Sequence, residues 1–197
     1  LPATGSAAED TEQDARPCCA VIMTRNLLKN PNGDEQLDSW ELVENGGNGW
    51  KVEDMPGDCG HDFCNNEVTK YFATSFDLCL KRQVVDLAVE GYTPDELDAG
   101  PAVMVEDWYC SRTDCGCTYQ ITICLLDENQ EAIEEFKPEL QTVDPEEDCS
   151  WKQVSHMFSG YGSGMRFISF EHGGQDTKFW NGWFGVRVTG SSVALEI

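Results

Sequence analysis

The 197-residue chain reads as all-β, an antiparallel β-sandwich of about ten strands, and three observations predict it. Short runs of alternating apolar and polar residues recur along its length. The connections between them are polar or glycine-bearing, and amphipathic helical periodicity is almost absent. A hydrophobic fraction of 40% with six Trp, nine Phe and five Tyr supports one sizeable core, and no shift in composition marks a second domain. Residues 1–17 are small, polar and acidic (Glu9, Asp10, Glu12, Asp14) and read as a flexible tail before a single sandwich over residues 18–197.

Arg25 to Lys29 leads into Asn30-Pro31-Asn32-Gly33-Asp34, a turn cluster. Trp40 to Val43 and Gly49 to Val52 flank Asn45-Gly46-Gly47-Asn48 and predict a hairpin. Residues 54–66 are loop-like by their Pro, Gly and Asp content. The next stretch, residues 67–80, carries Tyr71, Phe72, Phe76 and Leu80, and Gln83 to Ala88 alternates as a strand does. Pro94 and its acidic neighbours predict a turn of helix within Tyr92 to Gly100. Val103 to Tyr109 is the next strand. Tyr119 to Leu126 is the clearest, because Tyr119, Ile121, Ile123 and Leu125 share one face. Ala132 to Phe136, Trp151 to Phe158, Met165 to Phe170, Phe184 to Val188 and Val193 to Ile197 complete the set.

A formal charge of −23 argues against nucleic acid or an anionic membrane as partner, since both need a basic footprint. It favours a neutral or cationic ligand. No apolar run approaches the roughly 18 residues of a membrane helix, so no membrane insertion is expected. The ten cysteines do not form a paired zinc pattern: Cys59 and Cys64 with His61 between them lack a second pair of ligands, and no metal is expected. Disulfides in a secreted protein and reduced thiols in a cytosolic one both remain open. The turn-like settings of Cys59, Cys64 and Cys149 tilt toward disulfides. His172 with Asp176 is the one suggestive catalytic pair, but no nucleophile elbow accompanies it, and neither an enzyme nor a cofactor is expected.

The stretch His172 to Gly185 stands apart. It sets Phe179, Trp180 and Trp183 close together between glycines, and between the strand-like runs Met165 to Glu171 and Val186 to Thr189. Adjacent side chains on extended backbone face opposite ways, so Phe179 and Trp180 cannot both enter one core, and at least one ring is expected to face outward. The plainer alternative buries all three rings in the core or over a sheet edge.

Several stretches together resemble a known family. They are Arg25-Asn26-Leu27-Leu28-Lys29-Asn30-Pro31, Asn45-Gly46-Gly47 with Gly49-Trp50-Lys51-Val52-Glu53, Lys70 to Phe76, Val85-Asp86-Leu87 with Glu90-Gly91-Tyr92, Asp107-Trp108-Tyr109 and Glu171 to Asp176. The chain is similar, from about residue 20 to its end, to the F-box-associated (FBA) domain. That domain is the substrate-recognition half of the sugar-recognising F-box proteins and is shared with fish non-specific cytotoxic cell receptor proteins. The resemblance implies a jelly-roll-like, galactose-binding-domain-like sandwich. It also implies lectin-like binding of the chitobiose core and high-mannose part of N-linked glycans on glycoproteins, through loops at one end. Carried over position by position, Phe76 packs on the glycan core, Asp114 accepts hydrogen bonds, Phe179 and Trp180 stack on the sugar, and Asn181 follows them. A pyranose offers an apolar C–H face to an aromatic ring and hydroxyls to carboxylate and amide groups. Phe76 as a core residue and Asp114 as a solvated turn residue are the alternatives at those positions.

Two departures from the family pattern bear on function. The best-known glycan binders carry Tyr-Trp-Lys where this chain has Phe179-Trp180-Asn181, so one hydroxyl and one cationic donor are missing. Only some 24 residues precede Arg25, too few for an F-box, so engagement of Skp1 is not expected. The cysteine content favours a secreted or extracellular setting, stapled by a bridge such as Cys59 to Cys64, with a cytoplasmic setting as the alternative. The rival to a lectin is a protein-interaction or structural module with a degenerate sugar site.

Overall fold

The computed structural model describes residues 25–197 and shows two packed antiparallel sheets. The predicted tail and Cys18 and Cys19 lie outside the described residues. In chain order the elements are β1 (Glu41–Asn45), β2 (Lys51–Asp54), β3 (Lys70–Ala73), β4 (Cys79–Asp86), α1 (Pro94–Asp98), β5 (Ala102–Cys110), β6 (Cys117–Leu126), β7 (Ala132–Phe136), β8 (Gln141–Val143), β9 (Lys152–Phe158), β10 (Phe167–Asp176) and β11 (Arg187–Glu196). One sheet runs β1-β4-β10-β6-β7 with β8 also on β6, and the other β2-β3-β11-β5-β9. Alternation along β6 buries Tyr119, Ile121, Ile123 and Leu125 against Val103 and Val105 of β5 and Val188 and Val193 of β11 in one core. The single described helix is one turn long, with Thr93 Oγ1 accepting from the Glu96 amide and Pro94 opening it.

Three expectations are corrected. The segments around Asn45 to Gly49 do not form a hairpin, because β1 pairs with β4 in one sheet and β2 with β3 in the other. The turn is a crossing between sheets, closed by Asn45 Oδ1 accepting from the Trp50 amide, which drops the Trp50 ring into the core. The strand expected to stop at Glu171 runs on to Asp176, so Gly173 and Gly174 lie inside the central strand β10. A side chain cannot stand there: a Cβ on Gly173 would come 1.9 Å from the Cys79 carbonyl oxygen, and one on Gly174 1.9 Å from that of Thr118. The third correction concerns the thiols. Cys59 is free, so the expected Cys59–Cys64 bridge is not made, and Cys79, Cys110, Cys115, Cys117, Cys124 and Cys149 are free as well. Cys64 is disulfide-bonded. Most of the free thiols are buried and act as small core residues instead of staples.

A buried polar chain crosses the interface between the sheets. His172 of β10 places Nδ1 2.6 Å from Asp107 Oδ2 of β5, and its Nε2 lies 2.7 Å from Lys81 Nζ of β4. Tyr119 of β6 and Ser191 of β11 donate to the same carboxylate at 2.6 and 2.7 Å. The carboxylate can only accept, so Nδ1 carries the proton and Nε2 accepts from Lys81. The Lys81 ammonium sits 3.1 Å from the Trp40 ring centroid and 3.8 Å from that of Phe72. His172 thus pairs with Asp107 and not with Asp176, which lies four residues along the same strand, too far for contact. Every member of the chain is closed from solvent.

Burial pulls the His172 pKa down from 6.5 to about 4, with Lys81 adding to the effect and Asp107 opposing it. Burial also holds Lys81 well below the usual lysine range. The unfolded chain protonates His172 as pH falls through 6.5, whereas the folded protein resists until about 4. Unfolded molecules therefore bind more protons in that window, and stability drops by up to about 3 kcal/mol between those limits. Urea unfolding at pH 7 and pH 5 should show the midpoint falling, with the His172 ring resonances unchanged by NMR; a ring that titrates above pH 5.5 would contradict this.

Candidate functional site

Four connections meet at one end of the sandwich: β1–β2, β3–β4, β5–β6 and β10–β11. Their backbone groups are satisfied by one another. Ser75 Oγ accepts from the Asn48 amide at 2.9 Å and donates to the Gly182 carbonyl at 2.6 Å. Asn48 Oδ1 accepts from the Gly182 amide at 2.7 Å. Trp183 Nε1 donates to the Gly49 carbonyl at 2.9 Å, with the Lys51 ammonium 4.3 Å from its ring centroid. The amides of Asp176 and Thr177 donate to the carbonyls of Ser75 and Gly116, both at 3.0 Å. Gly47 is forced by this closeness: it has φ +60°, and a Cβ there would lie 2.8 Å from Ser75 Oγ and 3.1 Å from Phe76 Cδ1.

On this base the β10–β11 loop lifts its first two aromatics into solvent. Phe179, in the left-handed region with φ +55°, is 69% exposed, and Trp180 is 40% exposed. Trp183 and Phe184 are half-buried supports. The Phe184 ring meets Trp180 edge to face at 5.2 Å, and the Arg112 guanidinium lies 4.4 Å from the Phe184 ring centroid. Arg112 holds Asp114 through two bonds of 2.8 Å each and keeps its carboxyl below the usual carboxylate range. Asp114 is therefore ionised and exposed, with lone pairs free for hydroxyl donors.

The structure thus brings Asp114, Phe179, Trp180 and Asn181 to one surface, linked through Arg112 and Phe184. Phe76 stands half-buried in the β3–β4 connection beside Gly47, on the flank of the same surface. Asn181 is exposed and carries no cation, but the Lys178 ammonium is 5.4 Å from the Trp180 ring centroid. Sequence reasoning missed Lys178, Arg112 and Ser75. Arg112 lies two residues before Asp114, a spacing that could have flagged it; nothing in the sequence pointed to Ser75. A cleft of about 390 Å³ opens elsewhere, where β9 faces β7 and β8, with Tyr109, Tyr119, Phe136 and Gln141 among its walls. None of the predicted site residues lines it.

The F-box associated region family matches residues 18–195. The chain is 51% identical over 175 residues to F-box only protein 2 of Bos taurus, covering 87% of this chain and 59% of that protein. It is 48% identical to F-box only protein 6 of Mus musculus, covering 88% and 59%, and 46% identical to F-box only protein 44 of Homo sapiens, covering 87% and 68%. The chain therefore spans about 60% of the length of the first two relatives. Among solved structures, it is similar to TmCBM61 in complex with beta-1,4-galactotriose, with TM-score 0.54, 14% identity and coverage of 88% of this chain and all of that one. That likeness reports the fold.

Ser75 is fully buried and bonds two other connections, so Ser75→Ala leaves a donor and an acceptor without partners. The expected loss is about 2 kcal/mol by urea unfolding, with faster proteolytic nicking between residues 177 and 185. A variant as stable and as resistant as the parent would show that the four connections do not depend on this hydroxyl.

Proposed function

Because the chain belongs to the F-box associated region family, we propose that it is a lectin-like module binding the chitobiose core and high-mannose part of N-linked glycans at the four-connection end. One observation carries this reading: two adjacent aromatics, Phe179 and Trp180, stand exposed on a backbone fixed by hydrogen bonds to three other connections, beside an ionised carboxylate. A solvated flat ring is an unfavourable surface unless something covers it. A pyranose fits, since its C–H face lies on Trp180 while Asp114 and Asn181 take up hydroxyls or the acetamido group. Lys178 reaches the same ring and supplies the cationic donor that position 181 lacks. The net charge of −23 suits a neutral saccharide better than an acidic one.

Affinity then comes from a few contacts on a preset surface, and removing the central ring should be decisive. Calorimetric titration with chitobiose and with Man3GlcNAc2 should show saturable binding that falls about 10- to 100-fold in Trp180→Ala. No binding by the folded parent would end the lectin reading and favour a protein partner for the same exposed aromatics. An extracellular setting belongs to this proposal through the cysteine content and the bonded Cys64. Non-reducing mass spectrometry of protein recovered from its native source should then retain that bridge; a fully reduced chain would place it in a reducing compartment.

A further inference from the structure

Strand β10 ends at Asp176, and the loop bearing Phe179 and Trp180 begins one residue later. Asp176 is 1% exposed, and its amide is fixed to the Ser75 carbonyl. One carboxylate oxygen, Oδ1, accepts from two successive loop amides, Lys178 at 2.8 Å and Phe179 at 2.5 Å. The second of these belongs to the residue in the left-handed region, a conformation costing an aromatic L-residue about 1–2 kcal/mol. The carboxylate thus offsets a strained turn that would otherwise open. The other oxygen, Oδ2, is buried with no hydrogen-bond partner. Leaving an acceptor unpaired in the interior opposes folding about as strongly as the Oδ1 bonds favour it. The net contribution of Asp176 to global stability is therefore small, while its grip on the loop is direct.

We infer that Asp176 is the positioning residue of the proposed glycan loop: it presets the turn at Phe179 so that the Trp180 ring faces solvent before any ligand arrives. The inference rests on the lectin reading for its consequence and on the geometry alone for its mechanism. A preset loop spends no binding energy on ordering, so loss of the carboxylate weakens affinity more than it weakens the fold. Lys178 depends on the same grip, because its amide is one of the two bonds that direct its side chain toward Trp180.

The test compares Asp176→Ala and Asp176→Asn with the parent by three readouts: chitobiose affinity, amide exchange at Lys178 and Phe179, and urea midpoint. Asp176→Ala should lose about tenfold in affinity and speed exchange at both amides, with little change in midpoint. Asp176→Asn keeps one acceptor oxygen and should restore affinity to within about twofold. If the alanine variant does not fold, Asp176→Glu takes its place, since the added methylene carries the oxygen away from both amides. Parent-like exchange in Asp176→Ala, parent-like affinity despite faster exchange, or an asparagine variant as weak as alanine would each overturn the inference. Should the parent bind no chitobiose, the lectin reading falls, and the exchange comparison still decides whether Asp176 presets the loop.

Discussion

The sandwich depends on one carboxylate. Asp107 sits at full burial in the five-stranded sheet and receives hydrogen bonds from His172 and Tyr119 of the opposite sheet and from Ser191 of its own. An ionised carboxylate unpaired in the interior would cost several kcal/mol, more than any single apolar contact returns. Sheets displaced by one residue would still bury hydrophobic surface but would part this carboxylate from His172 and Tyr119 of the opposite sheet. The apolar core supplies the bulk of the driving force, and the polar chain selects the one register in which that core can close.

That register is also what aligns the four connections. Each of the four joins a strand of one sheet to a strand of the other, so all of them depend on how the two sheets are placed. The Asn45 to Gly49 crossing supports the loop that follows β10 through the Asn48 side chain, which accepts from the Gly182 amide, and the Gly49 carbonyl, which accepts from Trp183 Nε1. Rigid support beneath and exposed aromatics above are two results of the same packing. The half-buried Trp183 and Phe184 spend their surface on the support, which frees Phe179 and Trp180 from it.

Much of this was legible in the sequence, and the failures have physical causes. The alternation of Tyr119, Ile121, Ile123 and Leu125 announces β6 because one face of that strand is core and the other is solvent. The outward pair at Phe179 and Trp180 follows from adjacency and glycine flanks, and the residues proposed to meet a sugar come from family resemblance. The hairpin reading of Asn45 to Gly49 failed because a glycine-rich turn looks the same whether it joins two paired strands or passes between sheets. The glycine pair looked like a turn because only the positions of β4 and β6 reveal that a Cβ has nowhere to go. β8, three residues long, has too little alternation to register. The pairing of His172 with Asp107 spans 65 residues, and no local pattern carries such a contact. Of the three cysteines in turn-like sequence, Cys149 faces the core, Cys59 is exposed and free, and Cys64 is bonded, a division that local composition does not reveal.

The direction of β11 has a further consequence. It leaves the four-connection end at Arg187 and finishes at Glu196 beside Ala102, while Leu27 is bonded to the Val193 carbonyl and Arg25 meets Glu90 in the connection that follows β4. The first described residues and the carboxyl end thus emerge together at the opposite pole. A tether on either side of the domain would pull from behind and leave the aromatic surface pointing away from whatever holds it. Immobilised through either end, the domain presents that face to solution.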